Sequence, residues 1–184
     1  MRADALRNRE ALLRATIDLI LEVGGEPTRD AIADSAGVGV GTLYRHFPDQ
    51  QGLLHAVARH VLDRTIAAGE GVLATASGAD ALRRYMHLAL DNDLGVVNLI
   101  YPLLDSPDWP ELRERAEKVL TTLVDDAQRE GEIRPDVTAV DVGFAIIRVC
   151  RPLGVDVPTK TEREFAHRHI DVYVDGLTDP ARGG

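Results

Sequence analysis

The side chains best suited to chemistry lie together in one short stretch, VGTLYRHF at residues 40–47. Thr42 and Tyr44 carry hydroxyl groups, and Arg45 and His46 add a guanidinium and an imidazole. Hydroxyl and cationic donors bind phosphate oxygens and hold a helix against a nucleic-acid backbone. The residue types therefore predict contact with phosphate groups.

The apolar residues around these donors predict how the donors are presented. Leu43 and Phe47 are four residues apart, so on a helix they share one face, which we expect to be the buried one. A helix-turn-helix requires small residues where its helices approach and a turn residue that tolerates a positive φ. Ala33, Ala36 and Gly37 meet these requirements. The second helix of such a motif projects its N-terminal side chains into the major groove of DNA.

The other reactive side chains do not form a catalytic or metal-binding pattern. His167 and His169 are two apart and point to nearly opposite sides of a helix, and the five-residue spacing of His55 and His60 is also poor for ligation. Cys150 lies in an apolar stretch that favours a buried thiol. The sequence contains no glycine-rich phosphate loop, no GxSxG motif and no HExxH motif. We therefore expect no enzyme, no metal site and no cofactor.

The spacing of apolar residues is helical along nearly the whole chain and predicts an all-α fold of about nine helices. The predicted helices span about residues 3–23, 28–36, 40–46, 49–73, 79–91, 96–104, 110–130, 138–151 and 161–177. Capping boxes are predicted where Thr138 precedes Asp141 and where Thr161 precedes Glu164. The helix over 96–104 is nearly all apolar, so we expect it to be buried on every side.

Composition places the chain among soluble globular proteins, since 45% of its 184 residues are hydrophobic and 28% are charged. No stretch approaches the ~18 consecutive apolar residues of a membrane-spanning helix, and the N-terminus lacks the apolar run of a signal peptide. We therefore expect a cytoplasmic protein without a membrane partner.

The net charge of -9 is unevenly distributed. Residues 1–60 contain seven arginines against eight acidic residues, so most of the negative charge lies in the second part of the chain. Arg2, Arg7, Arg9 and Arg14 crowd the start and predict a basic arm, although they could equally only solvate the end of a helix. The overall charge therefore does not exclude a nucleic-acid partner.

The string AGVGVGTLYRHFPDQQGLL at residues 36–54, preceded by REALLRATIDLILEVGG at residues 9–25, resembles the N-terminal domain of the TetR family of transcriptional regulators. The resemblance implies an all-α homodimer that binds double-stranded DNA at a palindromic operator. It also implies repression that ends when a small-molecule effector occupies the C-terminal domain. The corresponding domains are residues 1–48 for DNA binding and residues 49–184 for effector binding and dimerisation, with the helix over 49–73 connecting them.

The resemblance also implies which residues contact DNA. By position in the motif these are Thr28, Gly39, Val40, Gly41, Thr42, Tyr44, Arg45 and His46. The family commonly has a Ser or Thr followed by a Lys where this chain has Gly39 and Val40, and a Lys after the helix where this chain has Asp49 nearby. We therefore expect a shallower salt dependence of DNA binding than is usual, with Val40 contacting a thymine methyl group.

Three alternatives remain open for these residues. Tyr44 could be a core aromatic residue, and His46 could serve only to interact with the helix dipole. The departures at Gly39, Val40 and Asp49 are also compatible with a degenerate TetR-like protein that binds DNA weakly and acts through protein contacts.

A small-molecule pocket is expected to be mostly apolar with a few polar anchors. The pocket candidates are Tyr85, Met86, Asn98, Tyr101, Phe144, Ile147 and Arg148. Each of them could instead pack in a core. Arg148 lies in the apolar run FAIIRVCRPLG, so we expect it to be buried beside a carboxylate or an anionic ligand.

The last two predicted helices carry apolar stripes that suit a dimer interface. The interface candidates are Val142, Ile146, Val149, Ile170, Tyr173, Val174 and Leu177. Stripes of this kind could equally close a core within one chain. The resemblance favours a twofold interface, whose symmetry a palindromic operator would match.

Overall fold

The computed structural model describes residues 2–153 and 158–178. Within these ranges the chain forms nine α-helices and one 3₁₀ turn, and it contains no strand. The helices are α1 (Arg2–Val23), α2 (Arg29–Ser35), α3 (Val40–His46), α4 (Gln50–Leu73), α5 (Gly78–Asp91), α6 (Gly95–Ile100), α7 (Pro110–Arg129), α8 (Ala139–Cys150) and α9 (Thr159–Gly176), with the 3₁₀ turn at Tyr101–Leu103. The all-α prediction is confirmed.

The chain divides into two compact units. The first comprises the described residues up to Val61 together with Val96–Asp108. The second comprises Leu62–Gly95 and the described residues from Trp109 onward. No helix in the described ranges is long and apolar enough to cross a membrane.

The first unit is built on α1, whose inner face is fully buried at Leu12, Ile17 and Ile20. Thr16 on this face is also fully buried, and its hydroxyl donates to the carbonyl of Leu12 at 2.7 Å. This bond within the helix satisfies a polar group that would otherwise be costly to remove from water. α1 therefore presents a continuous surface for α2 and α3, both of which contact it.

The turn between α2 and α3 follows the predicted chemistry. The Thr28 hydroxyl caps α2 by accepting from the backbone N–H of Ala31 at 3.2 Å. Gly37 has a φ of +66°, a left-handed conformation that costs glycine little because it has no Cβ. Asp49 accepts from the N–H of Gly52 at 2.7 Å and caps the start of α4. These features begin α2, turn the chain towards α3 and begin α4 after it.

The second unit is centred on α5, which contacts α7, α8 and α9. Leu82, Tyr85 and Met86 of α5 are buried in its core. Polar contacts also join α5 to α9: the rings of His87 and His167 stack at 5.0 Å, with Nδ1 atoms 2.7 Å apart. α5 is therefore held on several sides by both apolar and polar contacts.

Two local predictions are wrong. The segment over 96–104 is not buried all round, because Tyr101 and Leu103 are 53% and 41% exposed. The last helix begins at Thr159 after Pro158, so Thr161 lies inside its first turn and cannot be its N-cap. Pro158 is the N-cap of this helix and has an extended ψ of 132°, so helical geometry begins at the next residue. By contrast, the capping box of Thr138 and Asp141 is present in both directions.

Candidate nucleic-acid interface

The recognition helix α3 buries one face and exposes the other. Leu43 and Phe47 are 0% and 3% exposed, as their spacing predicts. Val40 and Tyr44 are 41% and 49% exposed. The alternative in which Tyr44 is a core residue is therefore wrong, since half of its surface is open to solvent.

The polar groups of α3 lie beside Tyr44. Arg45 is exposed and its Nη2 donates to the Thr42 hydroxyl at 2.8 Å, so these two side chains form one donor group. His46 is partly exposed and lies in the last turn, where a helix dipole favours a cation. The dipole interpretation of His46 thus remains open beside a DNA contact.

The start of α3 is unobstructed. A Cβ added at Gly39 or Gly41 would meet no atom within 4 Å, so a DNA backbone can come close to the peptide groups there. Gly39 is the N-cap and provides no side-chain hydrogen bond. Thr28 is exposed at the start of α2 while its hydroxyl caps that helix.

The N-terminal arginines do not form an extended arm. α1 begins at Arg2, whose side chain lies outside the described residues, so the arginines that follow project from a regular helix. Arg7 pairs with Asp4, Arg14 Nη2 pairs with Asp18 at 3.0 Å, and Arg9 stacks over the Phe47 ring at 4.7 Å. The prediction of a basic arm is corrected, because local acidic residues and an aromatic ring engage these cations.

One residue of this surface was missed by the sequence reasoning. Arg29, the first residue of α2, lies over the Tyr44 ring with its Cζ 4.5 Å from the ring centroid. A cation in the first turn of a helix is opposed by the helix dipole. This conflict between residue type and position is the signal that could have indicated a tertiary role for Arg29.

The pocket candidates are not brought together. Tyr85 and Met86 are 4% and 1% exposed in the core of the second unit, whereas Asn98 and Tyr101 belong to the first unit. The remaining candidates share an exposed position on α8; they are Phe144, Ile147 and Arg148. The expectation that Arg148 is buried is wrong, because it shares the outer face of α8 with exposed apolar residues.

The dimer candidates lie on the inner faces of α8 and α9. All seven pack into or against the core of their own chain: Val142, Ile146, Val149, Ile170, Tyr173, Val174 and Leu177. The prediction is corrected for the five buried residues, whereas Val149 and Tyr173 are partly exposed and stay predicted interface residues. The outer faces carry a second set of exposed apolar residues, namely Val140, Phe144, Ile147, Phe165 and Val172.

A groove of about 510 Å³ runs between α4 and α5 in the second unit. It is lined by Ala68, Gly71, Val72, Thr75, Arg84, His87 and Leu88. Arg84 pairs with Asp80 at 2.7 Å, and His87 Nε2 lies 3.0 Å from Asp171. The groove thus combines apolar walls with a guanidinium and an imidazole.

Tyr85 and Cys150 of the second unit are buried and stay protonated at neutral pH. Burial raises the pKa of the Tyr85 hydroxyl to about 12 and that of the Cys150 thiol to about 12. The predicted buried thiol of Cys150 is therefore confirmed. In residues 2–153 and 158–178, no three His, Cys, Asp or Glu side chains are grouped to hold a metal ion.

Comparison with known proteins agrees with the helix-turn-helix geometry. Residues 12–57 match the family of bacterial regulatory proteins, tetR family, and residues 78–179 match the SbtR-like transcriptional regulator C-terminal domain. The HTH-type transcriptional repressor LfrR of Mycolicibacterium smegmatis is 30% identical over 176 residues, which are 92% of this chain and 90% of LfrR. The chain belongs to the TetR family. It is a TetR-type DNA-binding transcriptional regulator.

Solved structures of the TetR family superpose over nearly the whole chain. The TetR regulator SCO0520 from Streptomyces coelicolor has a TM-score of 0.69 and 30% identity, covering 94% of this chain and 99% of that one. LfrR from Mycobacterium smegmatis in complex with proflavine has a TM-score of 0.61 and 27% identity, covering 90% and 94%. The helix-turn-helix domain followed by a helical C-terminal domain is thus the arrangement of this TetR-family chain.

Proposed function

We propose that this TetR-family regulator is a homodimeric repressor that binds a palindromic operator and is released by a small-molecule effector. The observation that carries the proposal is the division of α3 into a buried face, with Leu43 and Phe47, and an exposed face, with Val40 and Tyr44. In this proposal, residues 1–48 bind DNA and residues 49–184 bind the effector and dimerise.

The exposed residues of α3 divide into two roles. Tyr44, Arg45 and His46 present a hydroxyl, a guanidinium and an imidazole to phosphates, which position the helix without reading sequence. Val40 at the start of α3 reads a thymine methyl group, and Gly39 lets the DNA backbone approach.

The remaining proposed contacts are hydroxyl and backbone groups at the helix starts. Thr28, Gly41 and Thr42 contact DNA at the N-terminal ends of α2 and α3, where unpaired backbone N–H groups also favour phosphate.

The charge of this surface predicts a modest dependence on salt. Asp49 lies just beyond α3, and two N-terminal arginines are paired with acidic residues of α1. Few phosphates are then neutralised, so the slope of log affinity against log salt is shallow.

The second apolar set on α8 and α9 is the proposed dimer surface. Phe144 and Phe165 are 59% and 47% exposed, and Val172 is 66% exposed. Contiguous exposed apolar residues indicate a protein interface. A twofold axis at this surface would give the isologous contact that a palindromic operator requires.

The proposed effector site lies in the second unit. The groove between α4 and α5 supports it, because apolar walls with a few polar groups are typical of ligand sites. The relative LfrR has been solved with proflavine bound. By analogy this chain responds to a small molecule, for which Arg84 is the proposed polar contact.

The test is selection of genomic fragments by the purified protein, followed by anisotropy titration of the best fragment at two salt concentrations. A palindromic fragment, bound tightly and less tightly at higher salt, is expected. Tyr44→Ala should weaken binding to every sequence. The control is Arg64→Ala, which removes an exposed arginine outside the first unit and should leave binding unchanged. Absence of enrichment over random DNA would refute the operator proposal and favour the degenerate protein.

A further inference from the structure

We propose that Arg29 is a positioning residue for DNA recognition, which acts through Tyr44 and the C-terminal end of α3. The inference rests on the proposed function, because it assumes that Tyr44 contacts the operator. Arg29 is the first residue of α2, the helix that precedes the recognition helix α3 in the helix-turn-helix.

Three contacts join Arg29 to the recognition helix. Its Cζ lies 4.5 Å from the centroid of the Tyr44 ring. Its Nη2 donates to the carbonyl of Phe47 at short range and to the carbonyl of Asp49 at 3.1 Å. A single guanidinium therefore contacts both the exposed aromatic side chain and the backbone that follows α3.

The backbone contacts stabilise a helix end that has unpaired acceptors. The last carbonyls of a helix have no partner within the helix, and a charged donor is a strong one for them. Phe47 is the C-cap of α3 and has non-helical backbone angles. Arg29 thus stabilises the end of α3 and the turn that follows it.

The aromatic contact restricts the side chain that faces DNA. A guanidinium lying over a ring face is attracted by the ring quadrupole and limits the orientations of the ring. Because Tyr44 is 49% exposed, packing with other residues restrains it only in part. Arg29 holds the Tyr44 ring in place before DNA binds, which lowers the entropy lost on binding.

The position of Arg29 has costs that these contacts must outweigh. It lies in the first turn of α2, where the helix dipole opposes a cation. Its Nε is buried and meets no hydrogen-bond acceptor among the described residues. A buried donor without an acceptor is unfavourable, so the guanidinium is held there by its contacts with α3 and not by solvation.

A double-mutant cycle tests this role on the full-length protein and the selected operator fragment. Arg29→Met, which keeps a long apolar stem, should weaken binding about tenfold in the wild-type background. In the Tyr44→Ala background the same change should weaken binding clearly less than tenfold, because the ring contact is already lost and only the bonds to the carbonyls of Phe47 and Asp49 remain to be removed. The slope of log affinity against log salt should stay the same, since no phosphate contact is lost.

A direct phosphate contact by Arg29 would give different results. Arg29→Met would then weaken binding equally in both backgrounds and reduce the salt slope by about one, which would overturn the proposal. Arg29→Lys adds a second criterion. Lysine keeps the charge that binds phosphate but lacks the planar group that stacks on a ring. We expect Arg29→Lys to lose binding nearly as Arg29→Met does, and retained binding would contradict the positioning role.

The matched control is Arg9→Met. Arg9 stacks over the buried Phe47 ring at 4.7 Å, so the variant removes an arginine–aromatic contact in the same unit without touching Tyr44. Its effect on binding should be the same with or without Tyr44→Ala. If the effect of Arg9→Met on binding depended on Tyr44 as strongly as the effect of Arg29→Met does, the coupling would reflect a general loss of stability. That result would refute the specific role of Arg29.

An NMR measurement without DNA separates this inference from the proposed function. The ring current of Tyr44 should shift the side-chain protons of Arg29 upfield, and Tyr44→Ala should abolish that shift. If no operator is found, the proposed function fails while the upfield shift still establishes the contact. If the operator binds tightly but Arg29 shows no shift and no coupling, only the positioning role fails.

Discussion

Replacing Gly69 by alanine should destabilise the second unit, although alanine is the better helix former. A Cβ added at Gly69 of α4 would lie 2.5 Å from Cγ1 of Val119 and 2.7 Å from Cε2 of Tyr85. Val119 and Tyr85 are only 3% and 4% exposed, so neither side chain has free space into which it can move. α4 approaches these residues closely only because position 69 has no side chain.

The magnitude follows from two opposing terms. Forcing an extra carbon into a packed core costs about 1–3 kcal/mol, and two buried neighbours that must both move place Gly69 near the upper value. Replacing glycine by alanine within a helix returns roughly 1 kcal/mol. The free energy of unfolding should therefore fall by about 2 kcal/mol, which lowers Tm by roughly 4–8 °C for a chain of this length.

Gly71 provides a matched control two residues further along α4. A Cβ added there would meet no atom within 4 Å, so Gly71→Ala should raise the free energy of unfolding by about 0.5–1 kcal/mol. Both variants are compared with wild type by urea denaturation at one fixed protein concentration, because association would otherwise change the apparent stability. Shifts of the same sign for Gly69→Ala and Gly71→Ala would refute the packing argument.

Four further predictions concern α8. Thr138→Ala removes the hydroxyl that caps α8 and should lower the free energy of unfolding in urea by about 1 kcal/mol, and an unchanged midpoint would contradict the capping role. Because burial raises the pKa of the Cys150 thiol from 9.0 to about 12, a thiol reagent at pH 8 should label Cys150 only on unfolding; rapid labelling of the native protein would contradict its burial. The stability contributed by the protonated thiol is complete below pH 9 and is lost as the pH rises towards 12, so Cys150→Ala should flatten the alkaline decline in stability. Phe144→Asp should give monomers in light scattering, whereas Thr121→Asp, at an exposed position of α7, should leave the dimer intact. If both variants were dimers, the outer face of α8 would not be part of the dimer interface.

The helix-turn-helix could be predicted in detail because its determinants are local. The cap at Thr28, the positive φ of Gly37 and the pair of buried residues Leu43 and Phe47 each depend on neighbours within a few positions. Arg29 was missed because its contacts reach residues 15 to 20 positions away, and no periodicity describes them. Contacts at that distance depend on how two helices cross, which apolar spacing alone does not determine.

The last helix shows a limit of local signals. Thr161 and Glu164 have capping-box spacing, yet α9 starts two residues before Thr161, at Thr159, with Pro158 as its N-cap. The segment after α6 shows another limit. Its composition is apolar, but Tyr101 and Leu103 are exposed in a 3₁₀ turn, since apolar content does not determine which side chains a tight turn can bury.

Five of the residues predicted for the dimer interface are buried in their own chain, and the sequence of α8 explains why the prediction chose them. α8 has the sequence AVDVGFAIIRVC, which is apolar on both of its faces. One face, with Val142 and Ile146, is buried in the core of its own chain, and the spacing of apolar residues identifies that face equally well as core or interface. The other face leaves Phe144 59% exposed. A helix needs only one apolar face to pack into a single chain. The second apolar face is therefore available for the proposed dimer contact, as are the exposed Phe165 and Val172 of α9.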